Sequence, residues 1–217
     1  VVGFSGGVDS VVLCDVLLKL GFDVSLVHCN YKLRAEESDG DEQFALSFAK
    51  DRGIDIINKS FDTALISKEN NESIQIAARK IRYELFNQVA SNYENVKIAT
   101  GHHKNDDIET VLFNLTNANF FSGASGIPLK RDLIIRPLLF CSKGEIFKYA
   151  EENNLPYRND SSNEQLKYKR NKIRHKIVPV LEELNEGLYQ TFDLYKQQAN
   201  MVLNFALSQF ETWKSEF

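Results

Sequence analysis

The stretch Ser5-Gly6-Gly7-Val8-Asp9-Ser10 lies between the apolar run Val1-Val2-Gly3-Phe4 and a segment with Val12, Leu13, Val16, Leu17 and Leu20 at helical spacing, closed by Gly21. An apolar run, a paired-glycine turn and an amphipathic segment read as strand, turn and helix, with Asp9 or Ser10 as the cap. The glycines let the backbone bend tightly and meet an anion with no Cβ in the way. N–H groups at a helix start then favour a phosphate, and the hydroxyls of Ser5 and Ser10 add donors. Asp9 is out of place in a pure anion site, but it fits if Mg²⁺ arrives with the phosphates. The stretch lacks both G-K-[ST] and G-x-G-x-x-G. An ordinary strand–helix turn is the plain alternative.

Beyond this stretch, the periodicity predicts strands at Val24–Cys29, Ile54–Ile57, Val96–Thr100 and Leu133–Ile135. It predicts helices at Glu36–Arg52 (on Phe44, Leu46, Phe48 and Ala49), Glu72–Tyr93, Asn105–Thr116 and Ser142–Asn153. This alternation predicts an α/β fold, doubly wound, with a mostly parallel sheet and right-handed crossovers. Such sheets bind ligands at the carboxyl ends of their strands, here Ser5, His28, Asn58 and Gly101. After Pro156 the alternation stops. Residues 157–172 read as a polar, basic loop. From Ile173 the chain reads as helical, with Pro179 breaking or starting a helix and Leu188, Phe192, Leu203, Leu207 and Phe210 as apolar positions. The expected organisation is a catalytic-type domain over 1–180 and a C-terminal helical extension over 181–217, the start of a second domain that the chain does not complete.

The 217 residues are 43% hydrophobic and 26% charged, enough for a real core. No window approaches the roughly 18 apolar residues of a membrane span, and no signal peptide is visible. The chain opens inside a strand pattern with no initiator Met, so further residues are expected upstream. Cys14, Cys29 and Cys141 are odd in number and widely spaced. That pattern speaks for a reducing cytosol and against a disulfide framework or a zinc site. The net charge is −4, yet between Arg158 and Lys176 seven basic residues face only Asp160 and Glu164. With Tyr168 among them they could hold a phosphate backbone and stack on a base, or form a solvated loop.

Two further constellations carry chemistry. Arg79 and Arg82 are three apart and share a helix face, suited to phosphates or to the charge developing on them, or simply solvated. Asp106 and Glu109 are also three apart, just after His102 and His103. A carboxylate pair suits a cationic amine. A lysine ε-amine of pKa about 10.4 is a free nucleophile in roughly one molecule in a few thousand at pH 7, so carboxylates could hold the ammonium and take its proton. A metal held by the same His and Asp residues is the rival reading.

The S-G-G-x-D-S stretch resembles the PP-loop of the ATP pyrophosphatase superfamily, whose members cleave ATP between the α and β phosphates and adenylate a substrate oxygen. The remaining motifs resemble, in order to about residue 180, those of the tRNA(Ile)-lysidine synthetase family. They are His28-Cys29-Asn30-Tyr31-Lys32-Leu33-Arg34 with Ser38 and Asp41; Gln75 with Ala78-Arg79-Lys80-Ile81-Arg82-Tyr83; Ala99-Thr100-Gly101-His102-His103 with Asp106, Glu109 and Thr110; Arg136-Pro137-Leu138; and Asp160-Ser161-Ser162-Asn163 with Tyr168, Arg170-Asn171, Ile173-Arg174-His175 and Pro179.

This resemblance implies a cytoplasmic ligase that adenylates the wobble cytidine of an isoleucine tRNA and joins free lysine to it, giving lysidine, AMP and pyrophosphate. It implies ATP on Ser5, Gly6, Gly7, Val8, Asp9, Ser10, His28, Arg79, Gly101 and His102, with Mg²⁺ on Asp9. It implies catalytic roles for Asp9, Arg79, Asp106 and Glu109, lysine on Asp106 and Glu109, tRNA on Lys167, Lys169, Arg170 and Arg174, and further C-terminal domains that help hold tRNA. The sequence departs from the family's pattern at Tyr31 (usually His), at Asn105 (usually Asp) and across Asn117–Ile127, which lacks the Arg-Gly and an early Gly. The alternatives are another PP-loop tRNA enzyme such as a thiolase, which usually needs paired or persulfide-carrying cysteines, or an ATP-binding module without turnover.

Overall fold

The structure is a computed structural model that describes residues 1–117, 119, 123–159 and 169–215. It forms two compact units. One comprises Val1–His102, Leu129–Leu138 and Gly144–Asp160, the other His103–Pro128, Leu139–Lys143 and Ser161–Phe217.

The first unit holds a six-stranded sheet in the order β3-β2-β1-β4-β6-β5. Its strands are β1 (Val2–Gly3), β2 (Leu26–Asn30), β3 (Ile56–Ser60), β4 (Ile98–Ala99), β5 (Lys130–Arg131) and β6 (Ile134–Ile135). All pairings are parallel except β5 with β6. The α/β class and mostly parallel sheet agree with the periodicity. The chain adds β2 and β3 on one side of β1 and β4 on the other, so the carboxyl end of β1 is the switch point where such sheets take ligands.

Helices α1 (Val8–Lys19), α2 (Glu36–Arg52), α3 (Thr63–Glu69), α4 (Ile74–Ala90) and α6 (Lys143–Glu152) accompany the sheet. Leu85, Phe86 and Val89 of α4 pack on Val27, Ile98 and Ile134. Phe44 and Phe48 of α2 pack on Phe4, ring centroids 6.5 and 4.8 Å away. Gly3 and Phe4 alternate in direction, so these contacts cover opposite faces of the sheet.

Some details differ from the sequence reading. α3 is an additional helix, and α4 starts at Ile74 rather than at residue 72. The causes are two side-chain caps, Asp62 accepting from Leu65 N at 3.0 Å and Ser73 from Ile76 N at 3.3 Å. β3 begins two residues late. β5 is an exposed Lys-Arg pair closed onto β6 through Asp132 at φ 54°, with no apolar alternation to reveal it.

The second unit is helical: α5 (Lys104–Leu115), a run of α7 (Lys169–Lys172), a π-helical turn (Ile173–Ile177) and α8 (Val178–Leu184), then α9 (Leu188–Ser215). Lys169–Lys172, expected as loop, is helical. Pro179 starts α8, one of its two expected roles, and the turn before it widens so that Val178 N donates to Ile173 O. Pro179 has no N–H to continue the α pattern, which accounts for the wider turn. Ile108 and Val111 of α5 pack on Ile173, Val178 and Phe192. Leu207 and Phe210 of α9 are exposed, unlike Phe192. No helix among the described residues is long and apolar enough to cross a membrane.

Candidate active site

In the first unit the phosphate loop leaves β1 through Phe4, whose N–H donates to Val27 O at 2.9 Å. α1 is capped by Gly7, not by Asp9 or Ser10, and that cap makes no side-chain hydrogen bond among the described residues. Ser10 is used differently. Its Oγ accepts from the N–H groups of Ser5 and Gly6, each at 3.2 Å, and donates to Gly7 O at 2.9 Å. Gly7 N donates to Ser5 Oγ at 3.3 Å. Three successive amides thus turn inward on hydroxyl oxygens at the long end of hydrogen-bond range, in a concavity where an ionised phosphate oxygen is the stronger acceptor. The turn needs Gly6 in the left-handed region, φ +85°.

Asp9 lies in the first turn of α1, and Gly101 passes directly against it. A Cβ on Gly101 would stand 3.1 Å from Asp9 C and Cβ. His28 sits beneath the loop, 3% exposed, with Nδ1 2.9 Å from Phe4 O. Burial holds its pKa below the ordinary value, so the neutral ring donates from Nδ1 and presents Nε2 as a buried acceptor unsatisfied among the described residues. His102 Nδ1 lies 2.9 Å from Thr100 Oγ1.

Neither arginine of α4 projects bare. Arg79 lies over the Tyr83 ring at 4.7 Å and donates to its hydroxyl at 3.1 Å. Arg82 Nε donates to the Tyr31 hydroxyl at 2.7 Å. Burial pushes the Tyr31 pKa up to about 12, so it stays a neutral partner.

In the second unit α5 opens with a reciprocal cap. The His103 side chain accepts from Asp106 N, and Asp106 Oδ2 accepts from His103 N at 3.1 Å. Asp106 and Glu109 share a face, as their spacing predicts. On that face stand the two arginines read from sequence as tRNA contacts. Arg174 donates from Nε to Glu109 Oε1 at 2.6 Å, and from Nη2 to Glu109 Oε2 at 3.0 Å and Asp106 Oδ1 at 3.2 Å. Arg170 donates from Nε to Glu109 Oε2 at 3.3 Å and from Nη2 to Thr110 Oγ1 at 2.8 Å. Lys169 is exposed. Lys167 and Tyr168 lie outside the described residues.

Sequence reasoning overlooks this union, although the i,i+4 spacing of Arg170 and Arg174 puts both on one side of a helix. It also overlooks Asp107, 3% exposed, which pairs with Lys196 and accepts from Ile127 N. Burial raises the Asp107 pKa against the pull of Lys196. Among the described residues no group of three or more His, Cys, Asp or Glu is placed to hold a metal by itself.

Residues 1–181 match the PP-loop domain family. The chain is 41% identical over 190 residues to a tRNA(Ile)-lysidine synthase of Porphyromonas gingivalis, covering 87% of this chain and 42% of that protein. It is 41% identical over 183 residues to the synthase of Chlorobaculum tepidum (82% and 55%) and 39% identical over 188 residues to that of Thermosipho africanus (85% and 44%). The chain therefore spans about half the length of the curated relatives it matches. Among solved structures, the U34-tRNA thiolase NcsA from Methanococcus maripaludis with its 4Fe–4S cluster superposes with a TM-score of 0.73, covering 94% of this chain and 70% of that one, at 21% identity. That likeness is one of fold. The chain belongs to the PP-loop domain family of ATP-binding proteins, and its sequence is similar to those of the tRNA(Ile)-lysidine synthases.

Proposed function

We propose that this chain is the catalytic core of an ATP-dependent ligase that adenylates the wobble cytidine of an isoleucine tRNA and joins lysine to it. The observation that carries the reading is about 40% identity to lysidine synthases over more than four-fifths of the chain. The inward-turned amides of Ser5, Gly6 and Gly7 support it.

The triphosphate of ATP sits on those amides and on the start of α1, with Gly101 and His102 beside the loop and His28 below it. The C2 oxygen of the cytidine attacks the α-phosphorus. The bond to the bridging oxygen breaks, and pyrophosphate leaves with its electron pair. The loop amides and Arg79 meet the charge that develops. The loop's one carboxylate, Asp9, suits Mg²⁺, which binds through one or two carboxylates plus phosphate oxygens and neutralises phosphate charge when bound.

In the second half-reaction the lysine ε-amine attacks C2, the C2–O bond breaks, and AMP leaves. Asp106 and Glu109 hold the incoming ammonium and take its proton. Their oxygens carry Arg174 and Arg170 in this structure, so lysine enters by exchanging with guanidinium groups. Phosphates of the tRNA are the matching acceptors for those groups. The reading therefore makes tRNA bind before lysine.

The test is release of pyrophosphate and AMP from ATP, with and without lysine and an isoleucine tRNA transcript carrying a wobble cytidine. A tRNA-dependent first release of pyrophosphate is expected without lysine. AMP release with continued turnover is expected only when lysine is added, and is lost in Asp106→Ala. AMP release and continued turnover that need tRNA but ignore lysine would sink the ligase reading and leave a different adenylating enzyme.

A further inference from the structure

We propose that Asp41 and Arg158 are positioning residues of the phosphate loop, acting together through the carbonyl of Gly6. Neither touches the phosphates in the reading above, and the inference rests on that reading only in taking the loop as the ATP site.

One long-range bond reaches the loop from outside it. Arg158 N donates to Gly6 O at 3.0 Å. The carbonyl of Gly6 and the N–H of Gly7 belong to one planar trans peptide and point in opposite directions. Whatever takes the carbonyl outward therefore aims the Gly7 N–H inward, toward the concavity. A left-handed glycine has little conformational preference of its own, and the bond of the Gly7 N–H to Ser5 Oγ is long at 3.3 Å, so a partner on the carbonyl side strengthens the hold on this plane.

The backbone of Arg158 is itself held by its side chain. Its Nε donates to Asp41 Oδ1 at 2.6 Å. Asp41 is 16% exposed, and its other oxygen accepts from Arg34 Nη2 at 2.9 Å. Arg34 in turn is pinned through its N–H to Ser38 Oγ at 3.1 Å. The Arg34…Ser38…Asp41 motif thus gains a physical reason. It is a bracket on α2 that receives Arg158 and, through it, sets the loop. Charge agrees, since Asp41 is matched by two guanidinium groups and contributes no net repulsion toward a triphosphate. The guanidinium of Arg158 also lies close against α2 at Gly40, where a Cβ would stand 2.9 Å from Nη2.

The Gly40 contact supplies a variant that separates positioning from folding. Alanine is the better helix former in α2, and the atom it meets is the free end of a flexible side chain. Gly40→Ala should fold at least as stably as wild type while pushing Arg158 off its seat. The measurement is the Kd of ATP and of adenosine, by equilibrium dialysis, for wild type, Asp41→Asn, Arg158→Ala, the double variant and Gly40→Ala, with thermal melting of each.

Asp41→Asn and Arg158→Ala should each weaken ATP about tenfold, the worth of one charge-assisted contact, and the double variant no more than either. Adenosine, which has no phosphates to meet Gly7 N–H, should bind all of them alike. Gly40→Ala should weaken ATP while melting no lower than wild type. Variants that bind ATP as wild type does, or that lose ATP and adenosine equally, would overturn the positioning role. Wild-type protein that binds no ATP would overturn the ATP site and the positioning role together.

Discussion

The Arg174 guanidinium holds both carboxylate oxygens of Glu109, Nε to Oε1 at 2.6 Å and Nη2 to Oε2 at 3.0 Å, with the glutamate side chain 1% exposed and the arginine 31% exposed. A carboxylate this far from water depends on its partner, and stripping the partner from a buried pair costs about 3–5 kcal/mol. Arg170 remains at 3.3 Å, so Arg174→Ala should lose the lower part of that range, roughly 3 kcal/mol. Replacing Glu109 by Gln removes the charge that needs compensating, so the Arg174→Ala/Glu109→Gln protein should recover most of the loss. A double-mutant cycle by urea denaturation measures this. Strictly additive losses would mean that the pair is not coupled.

The same pair marks the boundary of what the sequence discloses. Gly6, Gly7 and the strand–turn–helix around them are local, and local geometry is legible from residue type and period. The shared face of Asp106 and Glu109 is legible for the same reason. The arrival of Arg170 and Arg174 on that face is not, because it depends on Ile173 and Val178 packing against Ile108 and Val111 some 65 residues earlier. Arg158 reads in the sequence as part of a basic stretch, either nucleic-acid-facing or a solvated loop. It turns inward to Asp41, 117 residues away, a pairing that no spacing within the stretch reveals. β5 escapes for the opposite reason: a two-residue hairpin strand has too few positions to display a period.

His28 should make stability depend on pH near neutrality. Burial depresses its pKa below 6.5, so the folded chain binds fewer protons than the unfolded chain once the pH falls under that value. The contribution is complete above pH 6.5 and is lost as the pH drops beneath it. Wild-type stability measured by urea denaturation from pH 7.5 to pH 5 should fall on acidification, and the fall should be shallower in His28→Gln. Parallel curves for the two proteins would assign the acid sensitivity elsewhere.

Gly101→Ala tests the close approach between the loop after β4 and the phosphate loop. The new methyl would meet both the backbone carbon and the Cβ of Asp9 at 3.1 Å, and neither belongs to a side-chain end that can swing away. Overpacking of this kind costs about 1–3 kcal/mol. The melting temperature should fall, and ATP affinity should fall with it because Asp9 is displaced. A variant that melts lower but binds ATP with wild-type affinity would show that the Asp9 backbone is free to yield.

Asn105 stands where the resembled family has aspartate, and its surroundings give the reason. Its Oδ1 accepts from Lys143 N at 2.8 Å, while its Nδ2 donates to the Tyr189 hydroxyl at 2.6 Å. Tyr189 has one proton, and that proton goes to Glu182 Oε1 at 2.5 Å. Burial, with Glu182 beside it, pushes the Tyr189 pKa up to about 12, so the hydroxyl keeps its proton at neutral pH. An aspartate in place of Asn105 would still accept from Lys143 but could donate nothing to Tyr189, leaving two carboxylates to share one hydroxyl proton. Asn105→Asp should therefore cost about 1 kcal/mol, the low end of the penalty for an unsatisfied acceptor, since the site is only half-buried. Adding Glu182→Gln should reverse it, because the new amide can donate to the tyrosine oxygen and free the hydroxyl proton for the new carboxylate. Urea denaturation of the two single variants and the double at pH 7 measures both effects. Asn105→Asp as stable as wild type would mean that the hydrogen-bond chain does not explain the asparagine.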